Sequence, residues 1–599
     1  TLHLYKIQFF CIIIHINYNM LHGHHAQEGI MNSTFEIIFG LLGGLALFLF
    51  GMNMMSDCLQ KAAGDKMRKI LALLTKNPVL GVLAGALTTA VLQSSSATTV
   101  MAIGFVSAGL MKLPQGISII LGANIGTTMT AQLLAFKISD YIFVIIFIGF
   151  IISFITKSEK VKAVGETIFA FGLLFLGIET MGDVMEPLAS SPVFTDMISR
   201  VADVPVLGAA VGTLMTLVVQ SSSATIAVLQ NFASQAGPDG VTSIIGLSGA
   251  IPILLGDNIG TTITAVLASI TQSRDAKRTA LSHCIFNISG FCIFIWFIEP
   301  FAKFIQWISP KGPEVEVISR QIANAHTAFN CIMTLIWLPM IWLLVKIVVK
   351  IIPDGKKGMQ LDPYGVKYLD NRLISQPAAA LELVAKEVLH CGHIVQEMLG
   401  DLSKAVSSDD RKRLDEVRKK SAAASDVNQK IQDYLADLFS GGVLTEEQAA
   451  QTAGIMYVLG DIDRIGFLTK SVADSMGDSS VRKFNYSGEA MKDLKKSLES
   501  IEDIYSDTLK IMVSRSKSEA DSIRRRKEEV LDLDLDMRKA HLERVSRGNC
   551  DASLTAPFNS ILHNIDRMSN SCVNIAEAAL GQVDFNYFIN IKVFREEIK

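Results

Sequence analysis

The residues best suited to chemistry in this chain are uncharged. Gln93-Ser94-Ser95-Ser96-Ala97-Thr98 recurs as Gln220-Ser221-Ser222-Ser223-Ala224-Thr225, and Asn124-Ile125-Gly126-Thr127-Thr128 recurs as Asn258-Ile259-Gly260-Thr261-Thr262. Each Gln-Ser-Ser-Ser word lies midway along an apolar stretch of about thirty residues, which would bring it near the middle of a bilayer. Polar side chains there are costly unless they find partners or line water. Ser and Thr also let a helix break. A broken helix offers free N–H groups and partial positive charge at its N-terminus, suited to an anion, and carbonyls suited to a sodium ion. Hydroxyls, amides and backbone N–H groups could together hold a tetrahedral oxyanion without Arg or Lys, and neither occurs within the four words.

Ser and Thr also serve close helix packing in membranes. The pairing of the words, each opening on Gln and each followed by Asn-Ile-Gly-Thr-Thr, favours a site. The candidate binding residues are therefore Gln93, Ser94, Ser95, Ser96, Thr98, Asn124, Thr127 and Thr128 in the first copy. Their counterparts are Gln220, Ser221, Ser222, Ser223, Thr225, Asn258, Thr261 and Thr262. Two positions break the symmetry. Ile226 stands opposite Thr99, so a hydroxyl role there is one-sided, and Asp257 stands opposite Ala123. A carboxylate within a membrane is a functional candidate by default. Asp257 would repel an anion and is expected to hold sodium or a proton. His283-Cys284-Ile285-Phe286-Asn287 and His326-Thr327-Ala328-Phe329-Asn330 share the spacing His-x-x-Phe-Asn, which puts His and Asn on one helix face. They read first as polar glue between helices.

The elements that must position these residues follow from composition. The 599 residues are 50% hydrophobic and 19% charged, but the two halves differ. Apolar segments lie near 35–55, 79–110, 114–135, 141–156, 163–181, 205–232, 241–270, 279–300 and 322–351, most of them long enough to span a bilayer. Basic residues cluster at Lys61–Lys76, Lys157–Lys162, Arg274–Arg278 and Lys346–Lys357, while the segment 182–204 is acidic. Positive-inside bias places the basic loops in the cytoplasm and the acidic one outside. That assignment works only if 79–110 and 205–232 each enter and return on their own side, one from inside and one from outside. This is the parity of an inverted repeat, and Gly51, Met55 and Asp57 recurring as Gly177, Met181 and Asp183 extend the duplication.

From about Gln376 onward the chain is charged and helical in period. Leu381, Val384, Val388, Cys391, Val395 and Met398 form one apolar stripe, and similar patterns near 408–440, 446–477, 486–513, 516–548 and 556–582 predict two three-helix bundles. The predicted architecture is all-α: a polytopic membrane bundle of two inverted repeats with re-entrant hairpins, followed by a soluble helical bundle. Its domains are an N-terminal extension 1–30, excluded from the fold, then repeats 31–162 and 163–352, a Pro/Gly linker 353–375, and a soluble domain 376–599. The eight scattered cysteines fit buried apolar roles better than a disulfide framework, and nothing suggests a nucleic-acid surface.

The stretch from Phe50 to Thr128 and its second copy resemble the type II sodium/phosphate cotransporter family, which carries a Gln-Ser-Ser-Ser word in each of two inverted repeats. The resemblance covers about 41–352. It implies sodium-driven transport of inorganic phosphate across a bacterial plasma membrane, with both words at the substrate and ion sites, sodium as coupling ion and no other cofactor. The soluble region resembles PhoU, a regulator of bacterial phosphate uptake, through Asp463-Arg464-Ile465, Asp566-Arg567-Met568 and Asn574-Ile575-Ala576-Glu577. It is expected in the cytoplasm, as a regulatory domain and as a surface for a homo-oligomer. PhoU-like domains often bind metal through acids that here are replaced by Phe467 and Asn570, so no metal is expected. No nucleophile–base pair or P-loop suggests an enzyme. The competing reading is a membrane-anchored phosphate sensor without net transport.

Overall fold

The computed structural model describes residues 31–63, 77–136, 138–189, 204–237, 239–354, 364–374, 376–408, 411–441, 444–477 and 486–581. The N-terminal extension, most of the basic run Lys61–Lys76, the acidic run with Asp196 and Asp203, and Lys356–Lys357 lie outside them. Among the described residues all regular structure is helical, apart from an isolated bridge between Ala236 and Ser243.

The membrane part begins with α1 (Met31–Ala63) and continues through α2 (Pro78–Leu92), α3 (Ser95–Ser107), α4 (Leu113–Leu134), α5 (Ile142–Ile155) and α6 (Glu159–Ala189). It then runs through α7 (Pro205–Val219), α8 (Ser222–Ala233), α9 (Gly246–Ser269) and α10 (Arg274–Phe294) to α11 (Ile298–Ile308), α12 (Glu314–Trp337) and α13 (Ile341–Ile351). Four helices contain segments long and apolar enough to cross a membrane: Ile37–Ala62, Leu113–Leu134, Lys160–Met185 and Gly246–Ser269. The expected spans 279–300 and 322–351 are bent instead, α10 into α11 by 95° and α12 into α13 by 83°. Pro339 lies within the second break and has no N–H to continue the ladder of α12, while Pro300 stands in the first turn of α11, just after the first break, where a missing N–H is tolerated.

Packing repeats along the chain. Helix α2 lies on α4 as α7 lies on α9. Helix α1 packs against α6, and the recurring glycines lie where the two backbones are in close contact. A Cβ at Gly51 would stand 2.7 Å from the Leu174 nitrogen, and one at Gly177 would stand 2.5 Å from that of Phe48. Both words that open the duplication thus keep the backbones of α1 and α6 in contact.

The soluble part comprises α14 (Pro377–Ser408), α15 (Arg411–Ser440), α16 (Glu446–Gly477), α17 (Gly488–Ser514), α18 (Lys517–Ser546) and α19 (Thr555–Gly581). The helices α14–α16 and α17–α19 form two three-helix bundles, joined through α14 on α17 and α16 on α19 into one core. The predicted stripe from Leu381 to Met398 is buried throughout. Tyr505, fully buried, donates its hydroxyl to the Gly392 carbonyl at 3.1 Å and ties the bundles together.

Replacing Gly177 with Leu forces α1 and α6 apart, and overpacking of this kind costs about 1–3 kcal/mol or more. Gly177→Leu is expected to reduce the yield of monodisperse protein in detergent severalfold. Gly43→Leu, at a position with open space around it, should leave the yield unchanged in the same size-exclusion assay.

Candidate functional site

Both Gln-Ser-Ser-Ser words fall at helix breaks of the same geometry. Helix α2 ends at Leu92, and Gln93 turns the backbone left-handed at φ 50°, ψ 23°. Helix α7 ends at Val219, and Gln220 does the same at φ 55°, ψ 23°. Among the described residues only Arg515 shares a positive φ outside glycine. A non-glycine residue held there costs on the order of 1 kcal/mol or more and marks a place where the surroundings impose the conformation. The next residue restarts the helix. Ser94 accepts from the Ala97 N–H at 3.1 Å, and Ser221 from the Ala224 N–H at 3.3 Å, each as an N-cap. Ser95, Ser96, Ser222 and Ser223 therefore occupy the first turns of α3 and α8, where backbone N–H groups have no helical partner.

Threonines clasp each break. Thr89 Oγ1 donates to Thr98 Oγ1 at 2.9 Å, and Thr98 in turn donates to the Ser94 carbonyl at 3.3 Å. In the second copy Thr216 stands 3.1 Å from Thr225, which donates to the Ser221 carbonyl at 3.3 Å. Here Asp257 changes the pattern. Thr216 has one hydroxyl proton, and its shortest contact is 2.6 Å to Asp257 Oδ1. Asp257 is fully buried on α9, and its Oδ2 meets no partner among the described residues.

The Asn-Ile-Gly-Thr-Thr words lie inside α4 and α9. A Cβ at Gly122 would fall onto the Val82 carbonyl oxygen, and one at Gly256 onto that of Ala209, so glycine lets α2 and α7 lie directly against these words. Asn124 Oδ1 lies 3.0 Å from His283 Nε2, and Asn258 Oδ1 lies 3.3 Å from His326 Nε2. Asn287 and Asn330 each donate to the carbonyl of their own histidine, at 3.1 and 3.0 Å. The two His-x-x-Phe-Asn words are thus polar links from α10 to α4 and from α12 to α9, and each grips a site asparagine. Thr127, Thr128, Thr261 and Thr262 donate to carbonyls of their own helices. Thr99 Oγ1, the one-sided hydroxyl, is buried without a partner among the described residues.

The two copies touch through the site. Thr264 on α9 donates to Ser96 at 3.2 Å, while its counterpart Thr130 on α4 donates to Gln93 Oε1 at 2.9 Å. The words differ in setting, since Gln93 is buried and Gln220 is exposed. Among the described residues the side-chain amide of Gln220 and the hydroxyls of Ser95, Ser222 and Ser223 bond to no protein group, while the Gln220 N–H closes α7 on the Thr216 carbonyl at 2.7 Å. Thr98 and Thr225 belong to the sequence-derived set, but Thr89, Thr216, Thr130 and Thr264 do not, although Thr89 and Thr216 both stand four residues before Gln, and Thr130 and Thr264 both six after Asn. Matching the flanks of the repeated words finds them.

No group of three or more His, Cys, Asp or Glu side chains among the described residues is placed to hold a metal ion. The members of His390-Cys391-Gly392-His393 separate: His390 Nε2 meets the Gly365 carbonyl, Cys391 enters the core, and His393 is exposed. Phe467 is also exposed, and Asn570 donates to the Asp566 carbonyl of its own helix.

These features define a polytopic helical membrane protein with a duplicated polar candidate site, which carries a carboxylate in one copy only, and a soluble helical domain. A family model for Na+/Pi-cotransporters matches residues 47–183 and 183–309, and one for the PhoU domain matches 388–476 and 494–579. YqeW of Bacillus subtilis, an uncharacterised protein, is 32% identical over 317 residues, 53% of this chain and 99% of its own length. The Escherichia coli K12 protein named "Putative inorganic phosphate export protein YjbB" is 24% identical over 552 residues, 91% of this chain and 97% of its own. Rat sodium-dependent phosphate transport protein 2A is 38% identical over 99 residues, 16% of this chain and 15% of its own. No solved structure matches the chain. The chain belongs to the Na+/Pi-cotransporter family and carries a PhoU domain.

Thr216→Val leaves Asp257 Oδ1 buried without its donor, a loss of about 1–3 kcal/mol. The apparent melting temperature in detergent is expected to fall by several degrees. Thr89→Val, which removes a bond between two neutral hydroxyls, should lower it less.

Proposed function

We propose that the chain is a secondary carrier that moves inorganic phosphate together with sodium. The membrane repeats are 31–162 and 163–352, and a linker at 353–375 leads to a cytoplasmic regulatory domain at 376–599. The observation that carries this reading is the duplicated break: two left-handed glutamines, each followed by a serine cap and a serine-lined first turn. A phosphate oxygen pair is received by the N–H groups and hydroxyls of Ser94–Ser96 and Ser221–Ser223, with Gln93 and Gln220 at the preceding helix ends. Fixed dipoles of this kind bind an anion without a permanent counter-charge, so release does not require an ion pair to be broken. Thr98, Asn124, Thr127, Thr128, Thr225, Asn258, Thr261 and Thr262 form the surrounding layer, with His283 and His326 orienting the two asparagines.

Asp257 binds the coupling sodium. It has an oxygen without a protein partner and a threonine hydroxyl on the other, and it lies on α9, whose Thr264 reaches Ser96 of the first copy. Only one copy has this carboxylate, so the two copies divide the work unequally. The repeats are read as inverted, with each broken pair entering from its own side of a bacterial plasma membrane. The name of the full-length Escherichia coli relative makes export the first direction to test.

The test is labelled-phosphate flux in proteoliposomes with sodium gradients of either sign. Wild type should carry sodium-dependent flux, and Gln93→Ala and Gln220→Ala should each reduce it at least tenfold. Phosphate binding with no flux under any gradient would establish the sensor reading instead. In the same vesicles Asp257→Asn should raise the sodium concentration for half-maximal flux at least tenfold, and an unchanged value removes Asp257 from the ion site.

A further inference from the structure

Residues 364–374 and Gln376 join the soluble domain to the membrane part through more than chain connectivity. On the soluble side the segment is held rigidly. The Glu387 carboxylate of α14 accepts from the backbone N–H groups of Lys367 at 3.1 Å, Tyr368 at 2.5 Å and Leu369 at 3.3 Å. Tyr434 of α15 donates its hydroxyl to the Asp370 carbonyl at 2.9 Å, His390 meets the Gly365 carbonyl at 3.1 Å, and Tyr364, Val366, Leu369 and Ile374 pack on the bundle core.

On the membrane side the same segment grips a helix of each copy, α3 at the first word and α9 at its C-terminal end. Gln376 donates to the Ala97 carbonyl at 2.9 Å, inside the first Gln-Ser-Ser-Ser-Ala-Thr word. Leu373 is fully buried against Met101 and Phe105 of α3 and sits over Gly104, where a Cβ would stand 3.1 Å from its nearest methyl. Arg372 donates to the Ala268 carbonyl at the C-terminal end of α9, the helix that carries Asp257 and Asn258. That end of a helix favours a cation. Asp370 steadies the guanidinium with contacts of 2.8 and 2.9 Å and also accepts from Gln272 at 3.5 Å. Gln272 in turn accepts from Ser107 at the end of α3.

We infer that this strap is a brake on the carrier. Helix α3 belongs to the first copy and α9 to the second, so an element bonded to both prevents them from moving relative to each other, which alternating access requires. The inference rests on the carrier reading above and adds its control: Arg372 and Gln376 are positioning residues that hold α3 against α9, and the soluble domain frees the carrier by withdrawing them. Because Glu387 and Tyr434 fix the strap to α14 and α15, a rearrangement of those helices is transmitted to the word at Ser94–Thr98 without any ligand reaching the site.

The test uses the full chain in proteoliposomes, with the exposed Cys292 replaced by Ser. A Gly104→Cys and Leu373→Cys pair places the strap sulfur about where Leu373 Cγ now lies, 3.7 Å from a Cβ at position 104. Oxidation should lower phosphate flux at least tenfold and reduction should restore it, with neither single variant responding. The double variant Arg372→Ala, Gln376→Ala should raise the maximal rate severalfold at nearly constant phosphate KM, and speed amide exchange across 97–107 about tenfold. Flux that is equal in the oxidised and reduced pair overturns the brake while leaving the carrier intact. Flux absent from wild type and every variant overturns the carrier, and exchange then decides the strap: unchanged rates at 97–107 show that it holds nothing.

Discussion

An α-helix interrupted inside an apolar layer leaves carbonyls at one end and N–H groups at the other, with no water to satisfy them. That constraint organises the membrane part of this protein. The left-handed Gln93 and Gln220 stop one helix, Ser94 and Ser221 cap the next, and Thr89–Thr98 and Thr216–Thr225 clasp the flanks. The break is expensive, so it persists only because packing enforces it. Helices α4 and α9 lie against α2 and α7 at glycine distance, and threonines from α4 and α9 reach into the first word.

The duplication is close in geometry and unequal in chemistry. Equivalent atoms make equivalent bonds at the caps and the histidine–asparagine links, and equivalent threonines meet at the clasps. Against that background Asp257 is conspicuous, because a carboxylate at the position of Ala123 accepts the hydrogen bond of the Thr216 hydroxyl and, among the described residues, leaves one of its oxygens without a partner. Gln93 and Gln220 diverge as well, the first buried and bonded to Thr130, the second exposed. A pair of sites that share a scaffold yet differ in charge suits a process in which an anion and a cation are handled together.

The soluble domain is equally shaped by a burial problem. The apolar stripes of its six helices close into one core, and Tyr505 and Gly392 bind the two bundles to each other. The charged run Arg524–Lys527 makes ion pairs, Arg524 with Glu577 and Arg526 with Asp507. Partial burial pushes the Asp507 carboxyl up, but hydrogen bonds from Lys510 and Arg526 hold it below its ordinary range. At the other end Arg278 bonds the Ile352 carbonyl and Asp354, which pins the exit of the last membrane helix before the linker begins.

Much of this was legible in the residues. Repeated words report a duplicated scaffold because the same break needs the same Gln, Ser and Thr, and apolar periodicity reports the helices because burial demands one face. The resemblance of those words also pointed to the right family. Other features depend on what lies opposite in space, which periodicity does not encode. The bends at 295–297 and around Pro339 turned two expected spans into angled pairs, since local sequence permits a bend but neighbouring helices decide whether it forms. The histidines read as glue between helices, but only packing revealed that what they hold is Asn124 and Asn258. Thr264 reaching Ser96 and Gln376 reaching Ala97 join residues separated by well over a hundred positions. Local propensity is blind to such pairs, because their energy exists only after both helices have been placed.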